Sequence, residues 1–269
     1  MNDEGIQQFY LQSLISDVTG WSRPQERLKK AFAQNEFFLF SQSILKLTPG
    51  GDNRSHFEIF VRLREEEQNL TPPGTFLPIL EYHNFGPRLD RYVLREVLVW
   101  YRTNRQAADS VIHINLCAKT LLDQDFPTFV EIELKATSLD GDSLCFEIPD
   151  VGMRYGQDAV EFARRLKAVN CSVAVGSPER ENISFRPIRD LTPDFVKIGG
   201  HLIRDIVHEK MANAKVQAIV RACQTIGLKT IAQHVEDART LDLLKRLGVD
   251  YAQGHGISKP GPLEGFVPH

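Results

Sequence analysis

Chemistry-bearing side chains close or interrupt apolar runs along this chain. They are Glu58, Arg62, Asn115, Glu147, the pair Gly176–Ser177, Lys197, Gln233 and Gln253. Two carboxylates, amides and two cations make a set suited to a polar, anionic ligand: a guanidinium fork matches phosphate oxygens, and amides read hydrogen-bonding edges. One Glu or Lys at the end of a strand is ordinarily a solvated terminus. Several around one opening would make a site, provided the fold brings them together.

The runs that must position them are strand-like: Phe37–Leu47, Phe57–Leu63, Val111–Asn115, Leu144–Ile148, Ser172–Val175, Phe195–Ile198, Lys229–Ala232 and Tyr251–Gly254. Helical stripes lie between most of them. Val93, Leu94, Val97, Leu98 and Tyr101 mark one; Val160, Phe162, Ala163, Leu166 and Val169 a second; Ile219, Val220, Cys223 and Ile226 a third; Leu241, Leu244 and Leu247 a fourth. Strands alternating with helices in this number predict an α/β fold, a TIM-like (β/α)8 barrel, with a doubly wound open sheet as the alternative. The first two runs are joined by LTPGGDNRSH, too short for a crossover helix, so the opening strand is expected to pair antiparallel. In such a barrel the C-terminal strand ends form the mouth, where the chemistry sits.

At the N-terminus, Ile6, Tyr10, Leu14, Val18 and Trp21 recur at helical spacing. Residues 1–22 therefore read as a linker or signalling helix, either docked on the domain or pairing with another chain, and 23–269 as the domain. Ser22, Pro24 and Gln25 predict a second helix start, running to about Asn35. The segment EEEQNLTPPG at 65–74 reads as a solvated loop.

Composition narrows the classes. Of 269 residues, 42% are hydrophobic and 25% charged, and 32 basic against 35 acidic residues leave a net charge of −3. This is globular composition without the basic excess of a nucleic-acid binder, and no apolar run is long enough to insert in a membrane. Cys117, Cys145, Cys171 and Cys223 form no CxxC pair and lie on apolar stretches, which predicts reduced core thiols and a cytoplasmic location. His201, His234 and His255 each follow a predicted strand, but their spacing does not support a zinc site.

Seven segments, in order, resemble the EAL domains, bacterial phosphodiesterases and receptors for cyclic di-GMP. FSQSI at 40–44 resembles Y-Q-P-I, HFEIFVRLR at 56–64 occupies the place of E-A-L-L-R, and INLCAKTLL at 114–122 resembles N-L-S-x-x-x-L. LCFEIPD at 144–150 resembles F-E-I-T-E, and DFVKIGG at 194–200 the K-I-D strand. TIAQHVED at 230–237 resembles V-A-E-G-V-E, and GVDYAQGHGISKPGP at 248–262 resembles G-x-D-x-x-Q-G-x-x-x-S-x-P. The likeness spans about residues 24–266.

The resemblance implies that active members hold two divalent cations on acidic residues. Here Glu58, Asn115 and Glu147 match metal-ligand positions and Lys197 the catalytic lysine. The expected D-D-F-G-T-G reads Gly176-Ser177-Pro178-Glu179-Arg180-Glu181, Gly199 stands for the aspartate after Lys-Ile, and Gln233 for the glutamate of A-E-G. Two carboxylates and one amide are a poor match for two magnesium ions, so Mg or Mn binding is expected to be lost, with no catalytic residues, no metal and no cofactor requirement. The expectation is a degenerate, catalytically inactive member, not an enzyme. It would be a cyclic di-GMP receptor that relays the signal to a protein partner, with a homodimer possible. A nucleotide-free scaffold and a residual phosphodiesterase are the alternatives. The expected ligand contacts are Gln42, Glu58, Val61, Arg62, Asn115, Glu147, Lys197, Glu236, Gln253 and Pro260.

Overall fold

The computed structural model describes residues 19–65, 70–104, 107, 109–176 and 189–268. The stripe at 6–21 falls almost wholly outside them, as do Ser177 and the 178–181 segment. Of residues 1–22 only 19–22 are described, and there Trp21 is buried against the domain.

A closed barrel is formed by β1 (Phe37–Lys46), β2 (Ser55–Arg64), β4 (Ser110–Asn115), β5 (Leu144–Ile148), β6 (Ser172–Gly176), β7 (Phe195–Ile198), β8 (Lys229–Ala232) and β9 (Tyr251–Ala252). From β2 round to β9 neighbouring strands are parallel; β1 closes the ring antiparallel to both β2 and β9. Two short strands, β3 (Leu70–Thr71) and β10 (Gly261–Pro262), add to β2 and β1. The (β/α)8 reading with an inverted first strand holds, and the open-sheet alternative does not.

The helices are α1 (Pro24–Ala33), α2 (Pro73–Tyr82), α3 (Gly86–Thr103), α4 (Phe126–Thr137), α5 (Gln157–Ala168), α6 (Gly200–Asp205), α7 (Lys210–Thr225) and α8 (Ala238–Leu247). Each lays an apolar stripe on the barrel. In α3 the stripe is Leu89, Val93, Leu94, Val97, Leu98 and Trp100, recurring every three or four residues as a helix packed on one face requires. α1 starts where Pro24 suggested, but its N-cap is Arg23 and no side chain caps it. Proline in the first turn has no N–H to satisfy, so Ser22 has less to cap. The expected loop at 65–74 is corrected in part: Leu70–Thr71 pairs with β2, and Pro73 already lies in α2.

Alternation along the strands sends every second side chain into the barrel. Ile44, Val111, Cys145, Ala174, Phe195, Ile231 and Tyr251 form an apolar cluster of their own at its floor, separate from the main core between sheet and helices. His56 and His113 sit among these rings, with His56 Nδ1 and His113 Nε2 3.1 Å apart. One pleat further towards the C-terminal ends, the inward positions turn polar.

The barrel mouth as candidate functional site

Lys197, in the middle of β7, is fully buried, and its ammonium lies 2.8 Å from Glu58 Oε2 on β2 and in closer contact with Glu147 Oε2 on β5. Asn115, the last residue of β4, donates from Nδ2 to Glu58 Oε1 at 2.6 Å and to the Ile59 carbonyl at 3.3 Å. The registers Asn115↔Glu147 and Gly176↔Lys197 set these side chains at one height. Burial alone would drive the lysine's proton off, but the carboxylates of Glu147 and Glu58 outweigh it and hold the ammonium charged. Burial lifts the Glu147 carboxyl above the usual range, with Lys197 opposing it.

Two recesses open above this cluster, with Phe60 lining both. The first, about 220 Å³, is lined by Gln42, Arg62, Glu236, Gln253 and Pro260, together with Gln233, His234 and His255. The second, about 400 Å³, includes Glu58, Val61 and Asn115 among largely apolar walls from α2 and α3. All ten residues expected from the sequence thus meet at one end of the barrel: five in the first recess, three in the second, and Glu147 and Lys197 tied to Glu58 beneath.

Arg62 is a cation that lines the first recess. Its guanidinium lies 5.4 Å from the Phe40 ring centroid and 5.9 Å from that of Phe60, and donates to the Val61 carbonyl at 3.0 Å. Partial burial lowers its pKa, and among the described residues it has no carboxylate partner. Gln42 donates from Nε2 to the Ser258 carbonyl at 2.7 Å, which fixes the amide and leaves its oxygen to accept. Gln253 is buried with its Nε2 unpartnered. Lys197, by contrast, does not add a free positive charge to the mouth, because its two ion pairs take it up.

Behind the second recess, Asp90 of α3 accepts from the Cys117 N–H at 2.8 Å and from the Thr120 hydroxyl, while Glu81 of α2 accepts from the Ala118 N–H at 2.6 Å. These carboxylates anchor the segment that follows Asn115. Burial raises the Asp90 carboxyl to about 7, against the opposing effect of its hydrogen bonds. No motif points to them; their role depends on helices whose packing angle the sequence does not display. His234, His255 and Phe60 were likewise missed as lining residues.

A two-metal centre needs several anionic oxygens converging in near-octahedral geometry. Here both carboxylates already face an ammonium, and the Asn115 amide donates to one of them. Among the described residues, no group of three or more His, Cys, Asp or Glu is placed to hold a metal ion. The described donors, taken by themselves, do not fit a two-metal site.

Fold and mouth together define a (β/α)8 barrel with an inverted first strand and a polar recess at the C-terminal strand ends. The EAL domain model matches residues 25–260, and the chain belongs to that family. It is 27% identical over 242 residues to the cyclic di-GMP phosphodiesterase PdeB of Shewanella oneidensis, covering 89% of this chain and 28% of that protein. It is 27% identical over 258 residues to the cyclic di-GMP phosphodiesterase PdeF of Escherichia coli, covering 94% of this chain and 33% of that one. The chain thus spans about a third or less of these relatives' length. The FimX EAL domain from Pseudomonas aeruginosa, solved bound to c-di-GMP, shares the fold with a TM-score of 0.82 at 23% identity, over 89% of this chain and 96% of that one. These relatives correct one expectation. The chain was read as not an enzyme, whereas the proteins it matches along most of its length are named phosphodiesterases.

Proposed function

We propose that the barrel mouth binds cyclic di-GMP, and that it does so without a divalent cation. The observation that carries this reading is Arg62, a desolvated guanidinium braced by two aromatic rings, without a carboxylate partner among the described residues, at the edge of a recess lined with amides. Such a group takes a phosphate oxygen pair, while Gln42 and Gln253 offer amide edges to a base. The recesses on either side of Phe60 suit the two halves of a dinucleotide. Metal independence follows from Lys197: the two carboxylates that would repel a phosphodiester share a buried ammonium that offsets part of their charge.

Occupancy is read by a protein partner, the chain being a module whose relatives are three times its length. Homodimerisation is compatible with such a relay. The four cysteines are buried free thiols, and burial raises their pKa values, which fits a reducing, cytoplasmic setting. Among the described residues, no helix is long and apolar enough to cross a membrane.

Calorimetry with cyclic di-GMP, in EDTA and again in excess Mg²⁺ or Mn²⁺, tests the proposal, with chromatography of each sample for linear dinucleotide. The expected result is micromolar binding unchanged by EDTA, and at least a hundredfold loss in Arg62→Ala, which removes a charge-assisted pair worth about 3 kcal/mol. Binding that appears only with metal would overturn the metal-independent part. No binding under either condition would overturn the whole and favour a nucleotide-free scaffold. The chromatogram reports turnover directly.

A further inference from the structure

His234 lines the first recess in a backbone conformation that costs a side chain more than glycine, although histidine enters it more readily than most residues. It follows β8 with φ of 57°, in the left-handed region where a side chain is disfavoured and glycine is not. The surroundings impose that conformation. The Gln233 N–H donates to the Ile198 carbonyl at 3.1 Å, the Val235 N–H to the Gln253 carbonyl at 3.0 Å, and the Gly256 N–H to the Val235 carbonyl at 2.9 Å. The two segments approach so closely that a Cβ on Gly254 would lie 2.2 Å from the Val235 backbone.

Folding gives no reason for a histidine there. The residue is exposed, so burial of its ring does not offset the backbone cost, and its imidazole has no hydrogen-bond partner among the described residues. The chain nevertheless makes room for the ring. A Cβ on Gly200, at the start of α6, would fall 2.3 Å from His234 Cδ2 and 2.6 Å from Cγ, so glycine leaves room for the ring in this position and a larger residue would displace it. With the Cδ2 edge against Gly200, the Nδ1 edge is turned away from that contact. A disfavoured residue, held rigidly and unpartnered beside an unpaired arginine, is the pattern of a preorganised contact.

We infer that His234 is a ligand contact of this recess, its imidazole hydrogen-bonding the phosphodiester side of the ligand next to Arg62. The inference rests on the cyclic di-GMP reading of the mouth. It adds a residue that is a contact through its own side chain, where glycine would serve the fold better.

The test is His234→Gly, which cannot fail through misfolding for want of a tolerated backbone. Thermal unfolding and cyclic di-GMP calorimetry are run on wild type, His234→Gly, His234→Asn and Arg62→Ala. The inference expects His234→Gly to unfold at the same or a higher temperature than wild type while binding at least fivefold more weakly. Asparagine, which tolerates the left-handed region and keeps a polar side chain, should fall between. Wild-type affinity in His234→Gly, with Arg62→Ala still crippled, would overturn the inference and leave the mouth as the ligand site. Absence of binding by wild type would instead remove the reading on which it rests.

Discussion

Asp90 should make this protein lose stability as pH rises through neutrality, and Asp90→Asn should abolish that loss. The carboxyl is almost wholly buried, and burial raises it from the ordinary 3.8 to about 7. In the folded state it holds a proton that the unfolded chain releases near pH 4. Between those values the native state binds more protons, so unfolding free energy falls with increasing pH by ~1.4 kcal/mol per pH unit. From pH 5 to 8, with half-protonation of the native carboxyl near 7, the single group withdraws roughly 2.5 kcal/mol. Asparagine has no proton to lose, and its side-chain oxygen can still accept from the Cys117 N–H and the Thr120 hydroxyl. The assay is urea unfolding of both proteins at pH 5, 6, 7 and 8. Taking their difference at each pH cancels every other titrating group. The variant should gain on wild type by about 2.5 kcal/mol across the series. A difference that varies by less than about 0.5 kcal/mol would refute the reasoning, showing that Asp90 is ionised in the fold at every pH tested.

Two further outcomes follow from groups inside the barrel. Lys197→Met leaves Glu58 and Glu147 buried without their cation, and should cost about 3–5 kcal/mol in urea unfolding at pH 7; a cost under about 1 kcal/mol would mean that the ion pairs contribute little. His56 titrates at about 4 because burial disfavours its charged form, so the unfolded chain takes up the proton first and stability is lost as pH falls from 6.5 towards 4. His56→Gln should flatten that acid limb. Identical acid unfolding of variant and wild type would show that His56 is not its source.

The barrel was legible because its signals are local. Eight apolar runs set the strands, and the short turn-rich link LTPGGDNRSH forced β1 to run back along β2. The mouth was legible for the same reason: strand ends are visible in the sequence, and period-two alternation fixes which side chains share the interior. Hidden from the sequence was anything set by distance between elements. Lys197 read as a cation available to a phosphate, and only the width of the barrel shows that Glu58 and Glu147 reach it from two other strands. Helix α2 was missed because Pro73, Gly74 and Pro78 mask its pattern, though proline in a first turn is compatible with a helix. The recess-lining role of His234 had a signal: V-A-E-G-V-E carries glycine where TIAQHVED carries this histidine. Its meaning needed the positive φ and the missing Cβ of Gly200.

Strand β2 shows why the mouth behaves as one unit. Its alternate residues His56, Glu58, Phe60 and Arg62 climb from the barrel floor to the lip. His56 is kept neutral among aromatic rings, Glu58 is bound to a buried ammonium, Phe60 divides the recesses, and Arg62 stands free of carboxylates among the described residues. The cation without a carboxylate partner among the described residues thus stands at the rim, where an anion can reach it. A register slip of one residue would turn all four outward and place Phe57, Ile59, Val61 and Leu63 inside. The main core packed around Phe57, Ile59 and Leu63, all nearly inaccessible to solvent, forbids that slip. Burial on the outer face of β2 therefore holds Arg62 at the mouth, and the stability of the barrel and the placement of this guanidinium are the same physical constraint.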